Sequence, residues 1–153
     1  MAYLYRATSA GSSTKFTASF WLKRGDNDTG IHRIITIGSD NNTHGFLTMR
    51  FNDDDGGGHI RIQGSTGNGG QALNLMSTNK YMDSQWYHMV LRVEMGNSNA
   101  NKVRLYVNNE LVTYYSSASW TDSSLHSNFW QGTNSRITLN AFTDGQQQGD
   151  HHY

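Results

Sequence analysis

The sequence predicts an all-β fold, an antiparallel sandwich of two sheets formed as one domain over residues 1–153. Three observations carry that reading. Residues 86–112 alternate apolar and polar side chains with a period of two, the mark of strands covered on one face. No segment keeps a helical period over ten residues. Short alternating runs recur about every 8–15 residues between loops rich in Gly, Asn, Ser and Thr, the spacing of a sandwich.

Taken in order, residues 3–6 form a short edge strand, and 9–14 a turn. Over residues 16–24, Phe16, Ala18, Phe20 and Leu22 line one face while Trp21 points the other way. A loop at 25–30 leads to a strand at 31–38, with Ile35 and Ile37 on one face and Ile34 and Thr36 on the other. After a turn at 40–43, Leu47, Met49 and Phe51 alternate through 45–51. The acidic, glycine-rich stretch 52–58 is a loop, and 59–63 is a strand carrying Ile60 and Ile62 inward. Residues 72–76 supply one more strand before the central hairpin.

In that hairpin Met89, Leu91 and Val93 share one side, as do Val103, Leu105 and Val107 on the second arm. Asn108-Asn109 is the pair best suited to positive φ after glycine, so a tight turn into Glu110-Leu111-Val112 is expected. Residues 116–133 have no clean period, and 136–142 form a last strand with Ile137, Leu139 and Ala141 on one side.

The central stretch carries a resemblance. Trp86-Tyr87-His88, an alternating strand, a polar loop and then Leu105-Tyr106-Val107-Asn108-Asn109-Glu110-Leu111-Val112 resemble the central hairpin of the concanavalin A-like lectin/glucanase superfamily, in its laminin G-like branch. The resemblance implies a jelly-roll sandwich. That branch often ends the second strand in Tyr-Val-Asp-Gly, so Asn108-Asn109 keeps the turn but removes an acidic side chain. The run from Phe16 to Arg24 is similar to the family's first long strand, and with Tyr3-Leu4-Tyr5-Arg6 before it resembles domains of bacteriophage virion proteins. In the family, one further strand follows the counterpart of 136–142 and closes the sandwich. Residues 145–153 read as loop, so that closing strand is expected to be missing, which means either a fragment or a strand donated by another chain.

Composition narrows the function. Hydrophobic residues make up 35% and charged residues 16%, with twelve basic against twelve acidic side chains. Nucleic-acid binding needs clustered Lys and Arg, and membrane insertion about 20 consecutive apolar residues; neither is present. With no Cys there is neither a disulfide nor a thiolate metal site. No basic segment followed by an apolar core opens the chain, so synthesis in a host cytoplasm and delivery by virion assembly are expected.

Each candidate site has a plainer alternative. A glycosidase needs two carboxylates across the scissile bond, and the resembled glucanases carry two Glu and an Asp close together on one strand; the only glutamates of this chain, Glu94 and Glu110, lie on different segments, so catalysis is not expected. His88 could serve Ser–His chemistry, but no Gly-x-Ser-x-Gly elbow accompanies it and a structural role fits as well. Calcium is the one candidate cofactor, with Asp53 and Asp55 its first ligands; Asp and Asn are also what turns prefer. His151-His152 could meet a transition metal or be merely a tail.

Trp120, Trp130, Tyr114 and Tyr115 sit among Asn, Gln and Ser, as in sites where a ring stacks on a sugar and amides bond its hydroxyls. The same tryptophans could instead plug the sandwich. The leading expectation is a non-catalytic surface module of a phage-type virion (a capsid decoration, fibre or adhesion protein) with weak affinity for cell-surface glycan. Its partners would be other virion proteins or copies of itself. The alternative is a soluble carbohydrate-binding domain cut from a larger protein, with a glycoside hydrolase third.

Overall fold

The computed structural model describes residues 4–7, 15–24, 31–38, 46–52, 58–65, 71–81, 84–94, 99–114, 119–120, 136–139 and 151–152. Among these described residues, twelve strands form two antiparallel sheets. β1 (Leu4–Ala7), β11 (Arg136–Leu139), β3 (Ile31–Gly38), β4 (Phe46–Asn52), β5 (His59–Ser65), β6 (Gln71–Lys80) and β10 (Ser119–Trp120) lie side by side in that order. The second sheet runs β12 (His151–His152), β2 (Lys15–Arg24), β7 (Trp86–Glu94), β8 (Val103–Val107) and β9 (Glu110–Leu111). Among the described residues one helix occurs, the single turn α1 (Asn99–Lys102) inside the expected loop before β8.

The core lies between the sheets and follows the alternation. From the smaller sheet Leu22, Tyr87, Met89, Leu91, Val93, Val103, Leu105 and Val107 point inward, each no more than 5% exposed. Ile35, Ile37, Leu47, Met49, Phe51, Ile60, Ile62, Leu73 and Leu75 meet them from the larger one. Each such side chain contributes about 1.5–3 kcal/mol of apolar burial. Arg24 also ends inside, 2% exposed, its guanidinium 5.0 Å from the Phe51 ring centroid. A ring face is one of the few apolar surfaces that attracts a buried cation.

The β8–β9 turn forms as its residues predict. Asn108 and Asn109 have φ of 50° and 70°, the two positive values a type I′ turn needs. Past β9 the chain crosses to the other sheet. The Thr78 N–H donates to the Thr113 carbonyl (2.9 Å), the two threonine hydroxyls lie 2.6 Å apart, and Tyr114 bridges to Ser77.

Three details differ from expectation. Ile34 is fully buried beside Ile35, because a bulge between Arg33 and Ile35 resets the alternation of β3. β6 continues past residue 76 to Lys80. The buried Ser77 sustains it: its hydroxyl accepts the Ile60 N–H, and its carbonyl lies 2.8 Å from His59 Nδ1. Residues 151–152, expected as loop, pair as β12 with Arg24 and Lys23 on the edge of β2.

Candidate functional site

The face of the smaller sheet turned away from the core carries the exposed aromatic residues. β2 and β7 pair from Lys15 opposite Glu94 to Lys23 opposite Trp86, which sets Trp21 opposite His88 and Ser19 opposite Val90. On the far side of β7, Val90 faces Tyr106, which in turn faces Leu111 on β9. Trp21, Trp86 and Leu111 are 57%, 47% and 53% exposed, the large apolar side chains most open to solvent among the described residues. Register makes Trp21 and Trp86 diagonal neighbours across β2 and β7, with backbones about 7–8 Å apart.

Polar groups between them are fixed. The His88 ring lies against Trp21 with centroids 5.1 Å apart and planes tilted by 32°. Its Nε2 is 2.9 Å from Ser19 Oγ. The His88 N–H donates to Asn108 Oδ1 (2.9 Å), and its carbonyl accepts the Asn108 N–H (2.8 Å), so the turn residue extends the β7–β8 ladder by one step. Charges stand at the two ends of the face, with Lys23 opposite Trp86 at one end and an ion-paired cluster at the other. Arg92 Nη2 donates to Glu94 Oε2 (2.6 Å), Lys15 Nζ stands 3.8 Å from the other Glu94 oxygen, and Glu94 holds the Arg92 pKa above its ordinary value. The centre is thus a neutral aromatic surface studded with hydrogen-bonding groups.

The outer face of the larger sheet is different. Arg33 on β3, Arg50 on β4 and Arg61 on β5 stand directly opposite one another, a line of three across adjacent strands. The next line runs Thr138, Thr36, Thr48, Gln63 and Asn74. Arg33 Nη1 donates to Thr48 Oγ1 (3.1 Å), Thr36 and Thr48 share a 3.0 Å hydrogen bond, and Arg61 Nε donates to Asn74 Oδ1 (2.7 Å). Arg33 and Arg50 are buried, whereas Arg61, Gln63, Asn74 and Met76 are only half-buried, so this face opens toward β5 and β6.

Residues 2–150 match the family model of the concanavalin A-like lectin/glucanases superfamily. The chain belongs to that superfamily. Solved structures with the same fold include the CBM40 domain of the Ruminococcus gnavus IT-sialidase bound to α2,3-sialyllactose. There the TM-score is 0.56 at 13% identity, over 89% of this chain and 68% of that one. A heptameric SAP-like pentraxin from Limulus polyphemus aligns with a TM-score of 0.52 at 13% identity, over 92% of this chain and 57% of the pentraxin. The LG1–3 region of the laminin α2 chain gives 0.52 at 10% identity, over 91% of this chain and 24% of that region. No curated protein sequence matches.

Of the residues expected from sequence to hold sugar in this superfamily member, the described structure includes Tyr114 and Trp120. Tyr114 is half-buried against the core, and its hydroxyl is fully shielded with no hydrogen bond of ordinary geometry. Burial pushes its pKa above the ordinary 10.0, with the Leu105 backbone opposing the shift. Trp120 stands in β10 opposite the core residue Leu73. Tyr115, Trp130, Asp53 and Asp55 lie outside the described residues. Among the described residues, no three His, Asp or Glu side chains gather where they could hold a metal ion.

Sequence reading placed Trp21 on the outer face of its own strand. The approach of Trp86 and His88 depends on β2–β7 register, which links residues more than sixty positions apart. The lone Trp-x-His signal had pointed only to fold.

Proposed function

We propose that this chain is a non-catalytic carbohydrate-binding module whose contact surface is the outer face of the five-stranded sheet. The observation that carries the reading is the exposed Trp21–Trp86 pair with His88, Ser19 and Asn108 fixed between and beside it. A pyranose offers an apolar face of C–H bonds and a rim of hydroxyls. Flat aromatic rings cover the first, and oriented donors and acceptors satisfy the second. The fold shared with a sialidase CBM40 solved with sialyllactose supports the reading at the level of architecture. The two glutamates have other surroundings: Glu94 is tied to Arg92 and Lys15, and Glu110 lies on β9 opposite Val107.

A glycan array probed with the parent chain and with Trp21→Ala, Trp86→Ala and Trp120→Ala tests it. The first two variants should lose binding and keep their melting temperature, since about half of each ring already meets water. Undiminished binding in both, or loss confined to Trp120→Ala, would overturn this surface. We set the module on a phage-type virion, in contact with other virion proteins or copies of itself. The likeness of residues 3–6 and 16–24 to virion proteins supports that setting, and co-sedimentation of the native protein with particles tests it.

A further inference from the structure

We propose that the outer face of the five-stranded sheet takes an internal stretch of a linear polysaccharide, several sugars long, along a path from Trp21 and Trp86 across Val90 and Tyr106 to Leu111. The inference rests on the carbohydrate-binding reading and adds to it the length and kind of ligand. It starts from an excess of apolar side chains. A sheet with one dry face and one wet face ordinarily alternates apolar inward with polar outward. The inward positions of the smaller sheet obey that rule, and the outward ones do not. Trp21 on β2, Trp86 and Val90 on β7, Tyr106 on β8 and Leu111 on β9 all occupy outward positions. A contiguous apolar patch on a solvated face marks a contact surface.

Register makes the patch continuous. Ser19, Val90, Tyr106 and Leu111 stand opposite one another in a single line across β2, β7, β8 and β9. The adjoining line sets Trp21 opposite His88, and the one beyond it holds Trp86. At about 4.8 Å between strands and about 3.4 Å per residue, the backbones of Trp21 and Leu111 lie roughly 16 Å apart. One pyranose ring covers only part of that distance, whereas a run of linked sugars covers all of it. The path is most open at its ends, at the two tryptophans and at Leu111, with Val90 and Tyr106 half-buried between them. A chain passing over the face meets both ends; a single terminal sugar would use one and leave the other wet. Hydrogen-bonding groups follow the same course: Ser19 beside Val90, then His88 and the exposed Asn108 in the adjoining line. They suit the hydroxyls along such a chain. The far end is also stiff, because Tyr106 and Leu111 flank the Asn108-Asn109 turn. A surface fixed before binding loses little freedom when a long ligand settles on it.

The test uses the full chain and ladders of β-1,4-linked glucose, β-1,4-linked N-acetylglucosamine and α-1,4-linked glucose, each from the monosaccharide to the hexasaccharide. Affinities are read by titration calorimetry and folding by thermal melting, in the parent, Trp21→Ala, Tyr106→Ala and Leu111→Ser. On the ladder that binds, parent affinity should climb by about tenfold or more with length and level off once the face is covered. Trp21→Ala should weaken every length. Tyr106→Ala and Leu111→Ser should each weaken the hexasaccharide by about three- to tenfold and leave the shortest sugar that binds unchanged.

Should Tyr106→Ala lose its fold, Leu111→Ser carries the test, since that side chain already stands half in water. An affinity that does not change with length overturns the inference, as does a Leu111→Ser variant that binds the hexasaccharide as the parent does. In either case a loss of binding in Trp21→Ala leaves the carbohydrate reading standing without it. A Leu111→Ser variant altered in sedimentation but not in affinity makes that end a contact between copies and overturns the path too. A parent that binds no ladder at any length overturns the inference as well, and the glycan array then judges the carbohydrate reading separately.

Discussion

Replacing Tyr114 with phenylalanine separates a core role from a binding role at a position that sequence alone assigns to sugar contact. The hydroxyl is shielded from water and lacks a hydrogen bond of ordinary geometry, so removing it should cost little. What the variant gives up is the contact with the Leu105 backbone, and an ordinary hydrogen bond contributes only about 0.5–1.5 kcal/mol net. Tyr114→Phe should therefore be within about 1 kcal/mol of the parent at pH 7, or more stable.

Alkaline pH should part the two proteins. The unfolded tyrosine gives up its proton near 10.0, while burial holds the folded one protonated to higher pH. Above pH 10 the unfolded state thus gains ionisation free energy that the folded state does not. Stability falls as pH rises, by up to about 1.4 kcal/mol per pH unit for each such group. Tyr81 is raised as well, first by burial, so the parent loses stability through two groups and the variant through one. Urea midpoints at pH 7, 10 and 11, followed by circular dichroism, should show the shallower decline in Tyr114→Phe. Parallel declines, a loss above about 2 kcal/mol at pH 7, or abolished glycan binding would refute this placement of the hydroxyl.

Leu91→Ala, at a fully buried position midway along β7, should cost about 2–5 kcal/mol in urea unfolding through the cavity it leaves. Asn109→Val forces a β-branched residue to φ near 70° and should cost about 1–2 kcal/mol or more, whereas Asn109→Gly should match or exceed the parent by thermal melting. Thr48→Val removes the acceptor for Arg33 and the partner of Thr36 from a buried position. It should destabilise by about 1–3 kcal/mol in urea, with little change in the native circular dichroism spectrum.

The strands were legible wherever one face is dry and the other wet. β7 and β8 alternate cleanly, and the Asn108-Asn109 turn follows from backbone chemistry confined to two residues. Legibility failed where burial does not alternate. Arg33, Ile34, Ile35, Thr36 and Ile37 are all buried and β3 carries a bulge between Arg33 and Ile35, so contrast between apolar and polar positions does not mark its faces. The end of β6 is polar, and its pairing rests on Ser77 and His59 rather than on apolar contrast. Both outer faces share a deeper difficulty. Trp21 meets His88, and Arg33 meets Arg50 and Arg61, only through strand register, a long-range property that no local window of sequence contains.

The stitch between Thr78 and Thr113 joins the two layers with backbone as well as side chains. It lies immediately past the β9 arm that carries Leu111, and four residues along β6 from the asparagine that steadies Arg61. One stretch of polypeptide thus runs from the aromatic surface to the strand flanking the arginine row. Shearing the layers past each other would have to break that seam, so it acts as a pin at this place in the sandwich. The slow deuterium uptake that such a pin imposes should be found at the Thr78 amide.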